Sequence, residues 1–346
     1  MKNSRSVNCY KATFGQLVGA VVEECYRWLP ELITLGAELN LMKNVNSGHL
    51  MSEIGIGEIF ALSSALMWAI AVIMFTKIGT RLPAFELNLI KNIIGVILIA
   101  LTSWWFEGLL IPSFSFNDWL LIIFSGFIGI AIADTLYMKA LNTIGAGATG
   151  IVAALYSPSV VILSMFYLNE SLGFYQWLGL VLVLGGIIFI SLDKSPSLDH
   201  LANPIKGVLY AASSVFLTAL GVVLIKPIVE SEPFFYVTGL RLLIGVIGML
   251  LWLVITRKTI QSWHKIRQVQ QWPMIIVASI MGSYIAMSLW LAGYKYTSAS
   301  VAAILNETNF IFIVILAALF LKEPISNKKW LGSALAIVGV VLVVLL

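Results

Sequence analysis

Glu307 is the residue on which chemistry can be built. It sits in the run Ser298-Ala299-Ser300-Val301-Ala302-Ala303-Ile304-Leu305-Asn306-Glu307-Thr308-Asn309, which continues apolar to Phe320. A carboxylate and two amides therefore stand inside a stretch otherwise fit to cross a membrane. A charged side chain at the centre of a spanning helix costs about 2.5–3.5 kcal/mol on insertion scales. That cost is tolerated where the group faces a bundle interior or a wet cavity. The other use of such an acid is a hydrogen-bonded group that holds helices together. Ser300, Ala303 and Glu307 lie three and four apart, on one helical face with small neighbours, which suits a cavity or a close helix contact. Proton binding at a carboxylate in an apolar setting can be coupled to solute movement. Asn306 and Asn309 can hydrogen-bond a ligand or a neighbouring helix.

Other candidates stand on other spans. Lys91 and Arg241 occupy matching places, each about six residues into its span, preceded by Asn88 and Thr238. One reading has both cations reaching the interface along their long stems; the sharper one pairs one of them with Glu307 or with an anionic substrate. Asp134, with Tyr137 one turn on, offers a second group for a proton or a cation, or an acid near enough to a span end to reach water. Trp68, Tyr156, Tyr284 and Trp290 lie inside spans and fit either an apolar pocket with polar handles or plain packing. Expected substrate-binding residues are thus Glu307, Asn306, Asn309, Trp68, Tyr156, Tyr284, Trp290, Lys91 and Arg241, and expected proton-coupling residues Glu307 and Asp134. Catalytic residues are not expected. The three histidines, His49, His200 and His264, fall in tails or loops, no Gly-Lys loop could cradle a phosphate, and no metal or cofactor is implied.

The elements that carry these residues follow from composition. Of 346 residues 60% are hydrophobic and only 11% charged, too apolar for a soluble domain. Uncharged runs of about 20 residues, each long enough to cross a ~30 Å hydrocarbon layer as a helix, predict ten spans: 57–77, 85–106, 118–141, 146–168, 175–192, 206–226, 235–255, 273–294, 298–321 and 329–346. Trp104, Trp105, Trp119, Trp177, Trp272 and Trp330 fall near span ends, as an interfacial belt requires. Gly79, Pro83, Gly145, Gly173, Pro227 and Pro233 mark the connections, and the seventh, Arg257 to Gln271, is the long, strongly basic one. Residues 1–50 differ, being an N-terminal extension read as an interfacial helix or as sequence upstream of a start at Met51. The net charge of +4 is too small and scattered for nucleic acid.

The chain also repeats itself. At a shift of 153 residues, Leu168, Glu170, Trp177, Leu178, Gly179, Leu182 and Gly186 fall on Leu321, Glu323, Trp330, Leu331, Gly332, Leu335 and Gly339. At a shift of 150, Gly57, Ala61, Ser63, Ser64, Lys91 and Gly95 meet Gly207, Ala211, Ser213, Ser214, Arg241 and Gly245. Five spans per repeat, 57–192 and 206–346, is an odd number, so the second repeat enters from the opposite side. The expected fold is an all-α membrane protein of ten transmembrane helices in two inverted five-helix repeats. Many secondary transporters share that plan, with the substrate between the halves.

The glutamate and W-L-G helix closing each repeat (Leu168-Asn169-Glu170 to Trp177-Leu178-Gly179, and Leu321-Lys322-Glu323 to Trp330-Leu331-Gly332) resemble EamA-type members of the drug/metabolite transporter superfamily. Pro158 fits a proline that the fourth helix of this family often carries; the second repeat has Ile311 there, which suggests that helix nine is adapted for polar work while helix four keeps the kink. The resemblance implies export or exchange of small metabolites, amino acids or drugs through a central cavity of an integral protein of a prokaryotic plasma membrane. A channel-like or solute-sensing protein is the alternative. Expected partners are a small-molecule substrate and the lipid bilayer, with a homodimer left open. The cations cluster in the odd-numbered connections, which puts those inside and the termini outside, whereas the resemblance puts the termini inside.

Overall fold

The computed structural model describes residues 55–108, 112–191, 204–313, 316 and 327–345. The extension at residues 1–50 and the second-repeat marks Leu321 and Glu323 lie outside these residues. Every regular element among the described residues is helical. Six stretches are long and apolar enough to cross a membrane: Ile56–Gly79, Ala84–Glu107, Phe116–Gly145, Ile205–Ser231, Phe234–Ile255 and Trp272–Tyr296. Four shorter apolar helices accompany them, Tyr156–Tyr167, Phe174–Phe189, Ala299–Ile313 and Trp330–Val343.

The elements run α1 (Ile56–Gly79), α2 (Ala84–Glu107), α3 (Phe116–Gly126), a π-helical segment (Phe127–Ala133), α4 (Asp134–Ala153), α5 (Tyr156–Tyr167) and α6 (Phe174–Ser191). They continue with α7 (Pro204–Ser231), α8 (Phe234–Ile255), α9 (Thr259–Arg267), α10 (Trp272–Ser279), a second π-helical segment (Ile280–Ala286), α11 (Met287–Tyr296), α12 (Ala299–Asn306) and α13 (Asn327–Leu345). Gly145 interrupts α4 with φ 76°, a left-handed conformation that costs glycine nothing, and so ends one span and starts the next where a turn was expected. Pro227 departs from expectation. It lies inside α7, which runs on to Ser231: proline removes one N–H without forcing the helix to stop, and in a bilayer a helical backbone is the cheaper arrangement. The six belt tryptophans are all exposed, as interfacial residues should be.

Helices pair in a fixed pattern. α6 packs on α13, α4 on α7, α1 on α11, α2 on α8 and α5 on α12. Glycine sets the α6–α13 distance: a Cβ at Gly179 would stand 2.6 Å from the Gly339 carbonyl oxygen, and one at Gly339 2.7 Å from that of Gly179. Small residues let spanning helices approach this closely. Gly339→Leu is therefore expected to prise the pair apart at a cost of about 1–3 kcal/mol or more. A detergent melting temperature well below that of Gly185→Leu checks it, since a Cβ at Gly185 meets nothing within 4 Å.

Glutamates at helix ends cap the next helix in space. Glu107 accepts the N–H groups of Phe235 and Tyr236, each at 2.8 Å, at the start of α8. Glu170 accepts those of Ala299 (2.8 Å) and Ser300 (3.0 Å) at the start of α12. Both place negative charge on otherwise unpaired N-terminal donors.

Candidate functional site

Two kinds of irregularity converge on one cavity. The first is the pair of π-helical segments, which lie 153 positions apart. A π turn leaves carbonyls in search of donors and is frequent at functional sites. Here Asn88 Nδ2 donates to Ile130 O at 3.0 Å and Ser214 Oγ to Ala133 O at 2.8 Å. In the second segment Ser64 Oγ donates to Ala286 O at 2.9 Å. Ser64 and Ser214 are a matched pair at the shift of 150, and Ala133 and Ala286 at 153, so each serine closes on the π segment 81 or 222 positions away.

The second irregularity is a pair of helix breaks. The chain leaves helix at Ala154-Leu155 and again at Glu307-Thr308, also 153 positions apart. Pro158 explains the first, because it lacks an N–H and its ring crowds the carbonyl of Ala154. The second has no proline. There the turn tightens to i→i−3 bonds, from Glu307 N to Ile304 O (3.2 Å), Thr308 N to Leu305 O (3.1 Å) and Phe310 N to Glu307 O (3.2 Å). The Thr308 hydroxyl takes Leu305 O at 2.7 Å and Asn306 Nδ2 takes Ala302 O at 2.8 Å. The stretch predicted as the ninth span thus carries the polar residues and a kink as well, where the proline-bearing fourth was expected to keep the kink.

Beside the two breaks lies a cavity of about 140 Å³, which Gly282 and Ala286 of the second π segment and Asp134, just after the first, help to line. Glu307, Asn306 and Asn309 line it from the second break, Tyr156 and Ala153 from beside the first, Asp134 and Tyr137 from α4, and Trp290 and Met287 from α11. Trp68 and Ser64 of α1 and Ser214 and Thr218 of α7 line it as well. Trp68 packs against Tyr137 with ring centres 6.0 Å apart, and Trp290 against Tyr294 at 5.3 Å. Glu307 is buried to 4% exposure, and its Oε1 accepts the backbone N–H of Ser157 at 3.1 Å. It therefore caps the first turn of α5, 150 positions away, at the positive end of that helix.

Three expected residues are not on the wall. Lys91 is fully buried rather than drawn to an interface: its Nζ gives 2.6 Å to Asp134 Oδ2 and 3.1 Å to Asn92 Oδ1, so it reaches the cavity only through Asp134. Arg241, also buried, donates through Nε to Ser125 Oγ at 2.9 Å and packs 6.0 Å from the ring centre of Trp290, which is part of the wall. Tyr284 sits in an apolar cluster with Ile99, Ile130 and Leu242 and bonds Thr102 Oγ1 at 2.7 Å. Ser64, Ser214, Thr218, Ala153 and Met287 line the cavity without having been expected there, Tyr137 having been noted only beside Asp134. Repeat register was the signal, since Trp290 falls on Tyr137 and Trp68 on Thr218.

Residues 55–192 and 205–345 each match the EamA-like transporter family. The chain belongs to the EamA-like transporter family. It is an integral membrane protein and a membrane transporter. An uncharacterized transporter of Bacillus subtilis, YetK, is 20% identical over 301 residues, 86% of this chain and 90% of its own. An uncharacterized transporter of Synechocystis, sll0355, is 24% identical over 292 residues, 80% of this chain and 86% of its own. A solved crystal structure superposes with a TM-score of 0.65 at 17% identity, over 83% of this chain and 95% of that one; at that identity the likeness concerns the fold.

Proposed function

We propose that this EamA-like chain is a ten-helix secondary transporter of a prokaryotic plasma membrane, built from two inverted repeats at about 57–192 and 206–346, exporting or exchanging a small organic metabolite by alternating access. Exchanging the halves turns the α1–α11 pair into the α7–α4 pair and leaves α2–α8, α5–α12 and α6–α13 unchanged, which supports the inverted repeat. Two separate family matches, one per half, support it too.

The observation that carries the reading is the cavity bounded by two helix breaks at the same repeat register, with Glu307 of one half holding the helix start of the other. Broken helices around a central site are how many inverted-repeat transporters bind solute. The volume, about 140 Å³, is close to the roughly 150 Å³ of an engineered cavity that admits benzene. Aromatic rings on the wall suit an apolar body, and two carboxylates with two amides suit hydrogen-bond donors such as the amino group of an amino acid or a drug. Proton coupling runs through Glu307 and Asp134: neutralising Glu307 weakens its hold on α5 and frees one half to move against the other.

Proteoliposomes loaded with a mixed metabolite pool, with and without a pH gradient, test this by mass spectrometry. Gradient-dependent depletion of one solute class is expected. Conductance without stoichiometric solute movement would replace the transporter reading with the channel-like one.

A further inference from the structure

We propose that the basic shelf beneath α9 is a binding site for the headgroup of an acidic phospholipid. The long basic connection that the transport site does not use folds into α9, immediately after α8. Trp252, Val254 and Ile255 at the end of α8 are exposed, as lipid-facing residues of a span must be. The chain turns at Arg257, with φ 54°, and α9 then presents Ile260 (75% exposed) and Trp263 (58%) three residues apart, on one face. Its opposite face is docked. Ser262 is buried, and Ser262 Oγ and Lys265 Nζ both reach Glu86 Oε1 in the first turn of α2, at 3.0 and 3.1 Å. A helix pinned on its polar side with tryptophan and isoleucine uncovered on the other is the geometry of an interfacial helix.

Beside it lies a pocket of about 340 Å³ lined by Arg81, Pro83, Lys265, Gln268, Val269 and Gln270. Arg81 and Pro83 belong to the connection between the spans α1 and α2, so the pocket opens at span ends, where headgroups lie. Arg81, Arg257, Lys258 and Arg267 have no ion-pair partner among the described residues. The acid of this shelf is Glu86, already engaged by Ser262 and Lys265. The unpaired Arg81, the Lys265 ammonium and the amide donors of Gln268 and Gln270 on the pocket wall, with the apolar face of the same helix uncovered, match a phosphate joined to acyl chains; a free phosphate would have no use for Ile260 and Trp263. Basic pockets at the ends of spanning helices bind anionic headgroups through this chemistry.

Native mass spectrometry of the full-length protein, given equal phosphatidylglycerol and phosphatidylcholine, is expected to show preferential retention of the anionic phosphatidylglycerol. Arg81→Gln, at an exposed site where folding is not at stake, should lower that preference about fivefold, the value of roughly one cation near an anionic surface. Adding Lys265→Gln should lower it further, and Lys206→Gln, in the first turn of α7, should leave it unchanged. Phosphatidylglycerol brominated on its acyl chains should quench the emission component that Trp263→Phe removes. Equal retention of the two lipids, an unchanged preference in Arg81→Gln, or no quenching at Trp263 would each overturn the site. Displacement of the lipid by inorganic phosphate at matched concentration would make the ligand a free anion and overturn it as well. None of these readouts depends on transport.

Discussion

Glu307→Gln is expected to fold and insert as the parent does and to move solute across proteoliposomes no faster than protein-free vesicles. Glutamine has the same shape, and its Oε1 can still accept the Ser157 N–H that Glu307 accepts at 3.1 Å. What disappears is the charge and the proton site. A carboxylate 4% exposed, on a cavity wall inside an apolar helix, carries an insertion cost of about 2.5–3.5 kcal/mol, which glutamine largely avoids. The variant should therefore be at least as stable in detergent as the parent while failing in transport, a split that a purely structural acid would not produce. Glu307→Asp separates the two jobs. It keeps the charge but is one methylene too short to hold the α5 start, so it should bind solute weakly and keep a pH dependence. Normal gradient-driven transport by Glu307→Gln would remove Glu307 from the mechanism.

Much of this site could be read from residue type and depth. A carboxylate, two amides and several aromatic rings inside apolar runs pointed to one place, and Glu307, Asn306, Asn309, Asp134, Trp68, Tyr156 and Trp290 do share a cavity. What was hidden was backbone. The π segments read Phe127-Ile128-Gly129-Ile130-Ala131-Ile132-Ala133 and Ile280-Met281-Gly282-Ser283-Tyr284-Ile285-Ala286, with no proline to announce them. Three of their donors, Asn88, Ser64 and Ser214, come from other helices. The break at Glu307-Thr308 was hidden for the same reason, since its i→i−3 turn is supported by side chains rather than imposed by a proline. Depth also misleads for long cations. Six residues into a span, Lys91 has the reach to find water, but an acid 43 positions away satisfies it inside. Pro227 shows the converse: a residue read as a connection is absorbed because the helix around it has nowhere cheaper to go.

Removing one member of the Lys91–Asp134 pair is expected to cost about 3–5 kcal/mol, the penalty of an uncompensated buried charge, and the two removals should not be equal. Lys91 has a side-chain exposure of 1%, whereas Asp134 is at 17% and reaches the cavity. Asp134→Leu leaves an ammonium with Asn92 Oδ1, at 3.1 Å, as its remaining partner. Lys91→Met leaves a carboxylate that cavity water can solvate. Asp134→Leu should accordingly show the larger fall in melting temperature in detergent. Because replacing both charges by apolar groups is often neutral or stabilising, the double variant Lys91→Met/Asp134→Leu should recover most of the stability lost by either single variant. Transport should not recover with it, since the cavity has then lost one of its two acids. A double variant less stable than both singles would show that the side chains do not act as a pair. A stable double variant that still transports would make the pair a packing device and leave Glu307 as the acid the solute meets.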